Sequence, residues 1–120
     1  MKLEELSGCR LGKLVNSLEI SPTEVVSYFA DRIRTRNDDI NAFAYTMFEE
    51  AYADAQRLED RLAKGEYAGP LAGVPVALKD FLPSRKGWTN SHGGVKALIR
   101  EDSEDSVFWK AARSAGAVAL

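Results

Sequence analysis

This chain of 120 residues is poor in the residues that staple a fold or gather a metal. It has one cysteine, Cys9, so no disulfide can close within it, and one histidine, His92. The two are far apart in sequence and have no ligand spacing around them, whereas a structural zinc site needs four such ligands. No metal and no organic cofactor is expected. Neither sign of charge dominates: sixteen basic against eighteen acidic residues leave a formal net charge of −2. That provides no basic footprint for nucleic acid or for an anionic membrane. No apolar run approaches the roughly 18 residues of a membrane span. The start, Met1-Lys2-Leu3-Glu4-Glu5-Leu6, is acidic with no long apolar stretch behind it, unlike a secretory leader. Scarce cysteine and no leader point to a reducing, cytoplasmic setting. Walker loops, dinucleotide-binding glycine patterns, internal repeats and linkers are all missing.

What remains is an ordinary globular composition. The length allows one domain at most, and a hydrophobic content of 45% allows it a modest core. Leu11, Leu14, Val15 and Leu18 repeat at helical spacing, which predicts a short helix over about 9–18. Ser21 then reads as an N-cap, with Pro22 at the first helical position and Glu24 completing a capping box. Val25, Phe29 and Ile33 give that second helix an apolar face to about Arg36, where Asn37-Asp38-Asp39 is expected to end it. Ala42 to Met47 is short, apolar and aromatic and reads as a strand. A helix from Phe48 to Lys64 comes next, with Ala51, Ala55, Leu58 and Leu62 inward and Gly65 as its C-cap.

Gly69-Pro70-Leu71 reads as a turn and Val74 to Leu78 as a strand. No period exists from Phe81 to Gly94, where Pro83, Gly87, Gly93 and Gly94 mark a loop. A loop of that length in a small domain is functional or disordered. A last helix opens near Asp102–Asp105, with Val107, Phe108, Ala111, Ala112 and Ala115 as its expected face and Gly116 as its stop. The final Ala117-Val118-Ala119-Leu120 has the look of a buried strand. Helices alternating with short apolar strands imply an α/β sheet covered by helices.

The segment Gly73-Val74-Pro75-Val76-Ala77-Leu78-Lys79-Asp80 carries the chemistry. An apolar run that ends on a lysine has two readings. The strand surfaces into water at Lys79, or partial burial lowers the lysine's pKa until it can act as a general base. This segment resembles the catalytic-lysine motif of the amidase signature family. Ser21-Pro22-Thr23-Glu24-Val25-Val26, Ile40-Asn41-Ala42-Phe43, Asp105-Ser106-Val107 and Ala115 to Leu120 resemble the elements that flank that lysine, in the same order. The resemblance spans essentially the whole chain.

It implies an α/β fold, the N-terminal part of the amidase signature fold, in which helices cover a mixed β-sheet. Residues 1–120 then form the N-terminal segment of a single amidase domain, stopping before the family's Gly/Ser-rich segment. The activity implied for the complete enzyme is hydrolysis of a small-molecule carboxylic amide to acid plus ammonia or amine. A Ser-Ser-Lys triad performs it, with Lys79 as the catalytic general base. Both serines of that triad, and the oxyanion donors beside them, lie downstream of the lysine in the family. No Gly-Gly-Ser-Ser-Gly-Gly-like run occurs here. The chain alone is therefore expected to be inactive. The rival reading is a non-catalytic truncated remnant or a partner-binding module. Neither the substrate nor the oligomeric state is legible.

The loop after Lys79 departs from the commoner family pattern. Phe81 stands where many relatives have Asn, which argues against the transamidating tRNA amidotransferase branch. Phe81, Trp88 and His92 either line an acyl pocket suited to apolar or aryl substrates or pack the loop onto the sheet. Thr89 and Ser91 keep the small hydroxyl character. Asp80 either orients the loop and biases the lysine or simply forms a turn; an ion pair with Lys79 is not expected, because neighbours on a strand point to opposite faces. Ser91-His92-Gly93-Gly94 and Ala112-Arg113-Ser114-Ala115-Gly116 superficially suit an esterase. A nucleophile elbow, however, needs its serine between strand and helix, and Ser114 falls in the reverse order.

Overall fold

The helices begin where cap chemistry places them. The computed structural model describes residues 2–120. Helix α1 (Gly8–Asn16) starts from Ser7, whose hydroxyl accepts the Arg10 amide. Helix α2 (Pro22–Ile40) starts from Ser21 with both halves of the capping box: Ser21 accepts the Glu24 amide, and the Glu24 carboxylate accepts the Ser21 amide. A further first-turn amide, that of Thr23, donates to Glu59 of α3 (Phe48–Ala63) at 3.1 Å. Amides left over at a helix start are thus answered by side chains rather than by water.

Helix α2 is longer than the sequence predicts. Asn37, Asp38 and Asp39 lie inside it, and Asn41, at φ 48°, ends it in the left-handed conformation. Its outer face is exposed, so polar residues there meet no obstacle to helix. Asn37 instead shapes the next segment: its side chain donates to the Phe43 carbonyl at 3.0 Å and accepts the Phe43 amide at 2.8 Å. The expected strand at 42–47 does not form. Those residues are irregular, with a bend at Ala44, and mostly exposed, and among the described residues no strand pairs with them. β-propensity without a neighbouring ladder produces no strand.

Helix α3 buries Ala51, Ala55, Leu58 and Leu62 as its spacing predicts, and also Asp54. It ends at Ala63, with Lys64 and not Gly65 at the cap position; Gly65 follows at φ +77°, where its amide bonds to the Leu62 carbonyl at 2.9 Å. The core lies where α1, α2 and α3 meet: Val15, Val25, Val26 and Ala55 are fully buried, with Leu58 beside them. Each Val or Leu buried there contributes roughly 1.5–3 kcal/mol. Leu18, expected on the inner face of α1, is exposed, because α1 stops at Asn16.

Sheet structure is sparse. Strand β1 (Pro75–Val76) pairs in parallel with β4 (Val118–Ala119), Pro75 opposite Val118 and Val76 opposite Ala119. Strand β2 (Thr89–Asn90) pairs antiparallel with β3 (Arg100–Glu101). The two pairings are separate two-stranded sheets, one parallel and one antiparallel, and part of the presumed 81–94 loop is a ribbon. The paired part of β1 is shorter than the predicted 74–78. Among the described residues no helix is long and apolar enough to cross a membrane.

The last helix, α4 (Val107–Ser114), corrects a predicted face. Val107 and Phe108 are 84% and 60% exposed, while Trp109 is wholly buried. Ser106 caps the helix by accepting the Trp109 amide, and that start turns the indole inward. The larger apolar residue takes the interior.

Two close approaches set the strand register. A Cβ on Gly69 would lie 2.3 Å from the Ala115 carbonyl oxygen, and one on Gly116 would lie 2.3 Å from the Ala68 carbonyl oxygen. The turn before β1 and the turn before β4 thus pack backbone against backbone. Asn16 clamps the first of these turns to α1: it donates to the carbonyls of Gly12 and Gly69 at 2.8 Å each and accepts the Ala68 amide at 3.0 Å. Leu71 and Gly73 amides then bond to the carbonyls of Ala115 and Gly116, which leads the chain into β1.

Candidate functional site around Lys79

Lys79 lies three residues beyond β1 and is exposed. It projects into a cleft of about 490 Å³ whose lining includes Phe43, Tyr45, Asp80, Arg85, Trp88 and Asp102. Among the described residues its ammonium forms no ion pair. The chain thus does surface at Lys79, three residues past the paired strand, and the lysine remains free to meet a reactant.

Asp80 borders the same cleft but is engaged with the loop. Its carboxylate accepts the Ser91 amide at 2.6 Å and the Ser91 hydroxyl, and its carbonyl accepts the Gly93 amide at 2.9 Å. The Ser91 hydroxyl bond first, then the Ser91 amide and the nearby His92, hold the Asp80 carboxyl below the ordinary range against the opposing effect of partial burial. Carboxylates that accept several N–H and O–H bonds behave this way. Asp80 is therefore a loop anchor. It makes no ion pair with Lys79.

Ser91 is buried, and its oxygen donates to Asp80 while accepting the Gly94 amide at 2.9 Å. That oxygen is fully engaged in holding the turn. Asn90, also buried, completes the turn: its side chain donates to the Phe81 carbonyl at 3.2 Å and accepts the His92 amide at 3.0 Å. The 81–94 segment is thus well tied, which the absence of any period in the sequence did not reveal.

Of the three bulky loop residues, Trp88 lines the Lys79 cleft. Phe81 is half exposed and meets the His92 ring edge-on at 5.9 Å. The aromatic wall of the cleft also includes Phe43 and Tyr45, from the segment expected to be a strand. His92 takes φ 51°, and its Nε2 lies 3.4 Å from Arg100. Ser114, the serine of the supposed elbow, ends α4 ahead of β4, so the strand-to-helix order is reversed as expected. Among the described residues no group of three or more His, Cys, Asp or Glu side chains is placed to hold a metal.

Sequence reasoning missed the buried ion pair beneath the cleft. Asp54 and Arg85 are each 8% exposed, and the Arg85 Nη2 donates to Asp54 at 2.9 Å. The guanidinium lies 4.5 Å from the Trp88 ring centre and 5.0 Å from that of Trp109. One signal was available: Asp54 falls three residues after Ala51, on the apolar stripe of α3, where a carboxylate needs a partner.

A second groove of about 490 Å³ runs along α2 and β1, lined mainly by apolar residues such as Leu11, Phe29 and Val76. Its charged groups are Glu4, Arg32 and Arg36, and Arg32 is paired to Glu4 at 3.4 Å. Arginine is too weak an acid to serve as a base, so the Lys79 cleft is the better candidate for proton transfer.

The chain is similar to known proteins in sequence and in fold. The Amidase family model matches residues 24–120. Over 118 residues the chain is 38% identical to a glutamyl-tRNA(Gln) amidotransferase subunit from Salinispora arenicola, covering 98% of this chain and 24% of that protein. A bacterial aryl acylamidase of the amidase signature enzymes superposes with a TM-score of 0.88 at 34% identity, over 96% of this chain and 24% of that one. Fatty acid amide hydrolase superposes with a TM-score of 0.86 at 27% identity, over 95% and 20%. The chain spans about a quarter of the length of the curated relatives it matches.

Proposed function

The chain belongs to the amidase family, and on that premise we propose that it supplies the general base of a carboxylic amide hydrolase. The reaction is hydrolysis of the C–N bond of a small amide to acid plus ammonia or amine, in the complete enzyme. The observation that carries this reading is the placement of Lys79: it stands exposed three residues past β1, has no ion-pair partner among the described residues, and lines a cleft whose walls are both aromatic and polar.

The mechanism asks Lys79 to accept a proton. Its neutral amine takes the proton of a bridging serine hydroxyl, which takes that of the attacking serine. The attacking oxygen adds to the amide carbonyl, the proton passes back to the nitrogen as the C–N bond breaks and the amine leaves, and a water deprotonated along the same relay then hydrolyses the acyl-serine, releasing the acid and restoring the serine hydroxyl. This chain shows no counterpart of the family's Gly/Ser-rich run, and Ser91 is buried and committed to Asp80. The 120 residues alone should therefore give no turnover.

The test is Lys79→Ala in a full-length amidase that carries this chain. General-base removal should lower kcat by about 10²–10⁴-fold. Near-normal turnover would leave Lys79 as a surface lysine and defeat the proposal. Assaying an aryl amide beside a simple alkyl amide reads whether the aryl preference in the name of one relative carries over to this chain.

A further inference from the structure

The buried pair Asp54–Arg85 has no part in the proton relay, yet it is the one ion pair among the described residues with both side chains about nine-tenths buried. Burying two charges rarely adds stability over apolar residues of the same size. Its presence is better explained by what it fixes. Arg85 belongs to the excursion between Asp80 and β2, and Asp54 belongs to the core helix α3. The guanidinium is held between Trp88 and Trp109. Around it the backbone of the excursion is tied to the far side: the Ser106 amide bonds to the Ser84 carbonyl at 3.0 Å, and the Asp102 amide to the Trp88 carbonyl at 2.9 Å. Arg85 is therefore the side chain through which this whole excursion grips the core.

We propose that Asp54 and Arg85 are positioning residues that hold the Lys79–Ser91 segment in register over α3, so that Lys79 faces the cleft. The proposal rests on Lys79 being the base. The pair acts through two links. The first is the stacked guanidinium, which sets where residues 84–88 lie. The second is the Asp80–Ser91 clasp, which closes the excursion directly after Lys79. Asp54 is also bonded by Arg57, which is largely exposed, so removing Arg85 does not strand a lone buried carboxylate. The Arg85 Nη1 is buried with no hydrogen-bond partner. A group kept at that cost points to a role in shape.

The experiment uses this chain and needs no turnover. Amide hydrogen exchange and the Ser91 amide resonance are recorded for the wild type, Arg85→Met and Arg85→Lys. A positioning role predicts exchange at Ser91 and Gly93 faster by about tenfold or more, with a shifted Ser91 resonance, while amides in the middle of α2 keep their protection. Arg85→Lys keeps the charge without the planar fork and should move the same signals, so it stands in if Arg85→Met does not fold. An unchanged Ser91 resonance with a uniform loss of protection over the whole chain would mean a purely structural pair and overturn the inference. Unchanged exchange throughout would overturn it as well. Failure of Lys79→Ala to slow a full-length enzyme is a separate result, against the base and not against the anchor.

Discussion

Replacing Gly116 with alanine tests whether the backbone contact between two turns sets the position of the Lys79 strand. Gly116 takes φ +95°, where an L side chain costs about 1–2 kcal/mol. A Cβ there would also lie 2.3 Å from the Ala68 carbonyl oxygen and 2.9 Å from the Ala72 Cα. Both are backbone atoms, so neither can swing aside as a flexible side chain would. The 68–72 turn must shift, at about the 1–3 kcal/mol of an overpacked core. The sum is about 2–5 kcal/mol. Gly65→Ala is the matched control: φ is +77° and nothing lies within 4 Å of its added Cβ, so only the roughly 1–2 kcal/mol of backbone strain applies. At about 4 °C per kcal/mol for a chain of this size, the melting point should drop by about 8–20 °C for Gly116→Ala and about 4–8 °C for Gly65→Ala. Far-UV circular dichroism and urea titration read both. Equal losses would show that the contact yields freely, and the register argument would fail. Because the Gly73 amide bonds to the Gly116 carbonyl at 2.9 Å, a displaced turn should also disturb the amides that lead into β1.

Three further outcomes are expected. Ser91→Ala should let the Asp80 carboxyl rise toward its ordinary value, followed by carboxyl NMR titration. The depressed native pKa stabilises the fold above the unfolded-state pKa and loses that contribution as pH falls through the native pKa, so the variant should show a flatter acid limb of stability. Glu59 is under opposing influences: burial raises its carboxyl, and hydrogen bonds from the Thr23 hydroxyl and amide, Ser21 and Gln56 together hold it below the ordinary value. Glu59→Gln should cost about 0.5–1 kcal/mol at neutral pH, as for a weakened helix N-terminus, and nearly nothing once Glu59 is protonated; an equal cost at both pH values would count against the charge. On α4, Trp109→Ala should cost about 3–5 kcal/mol by denaturant unfolding, whereas Val107→Ser should stay within about 0.5 kcal/mol; the reverse ranking would contradict the observed face.

The helices were legible because their signals are local. Ser21, Pro22 and Glu24 lie within four residues and make their cap whatever the rest of the chain does. The stripe Ala51, Ala55, Leu58 and Leu62 needs only the helical period to be read as inward. Lys79 was legible because a motif places it, and the structure adds that it stands exposed over a cleft. Phe43 and Tyr45, the cleft's other aromatic wall, were misread because apolar spacing shows that a segment is buried or extended but not what lies beside it.

By itself, then, the sequence determined where α2 and α3 start, that a lysine follows closely on β1, and which family's chemistry to expect; α4, expected to open near Asp102–Asp105, starts at Val107. Only the tertiary structure decided that residues 42–47 form no strand, that Trp109 and not Val107 enters the core, and that Asp54 meets Arg85 across 31 positions. Each of these depends on a partner distant in the chain: a neighbouring strand, an interior large enough for an indole, a charge to answer a charge. Local propensity carries no information about such partners, because their energy exists only once the chain has brought them together.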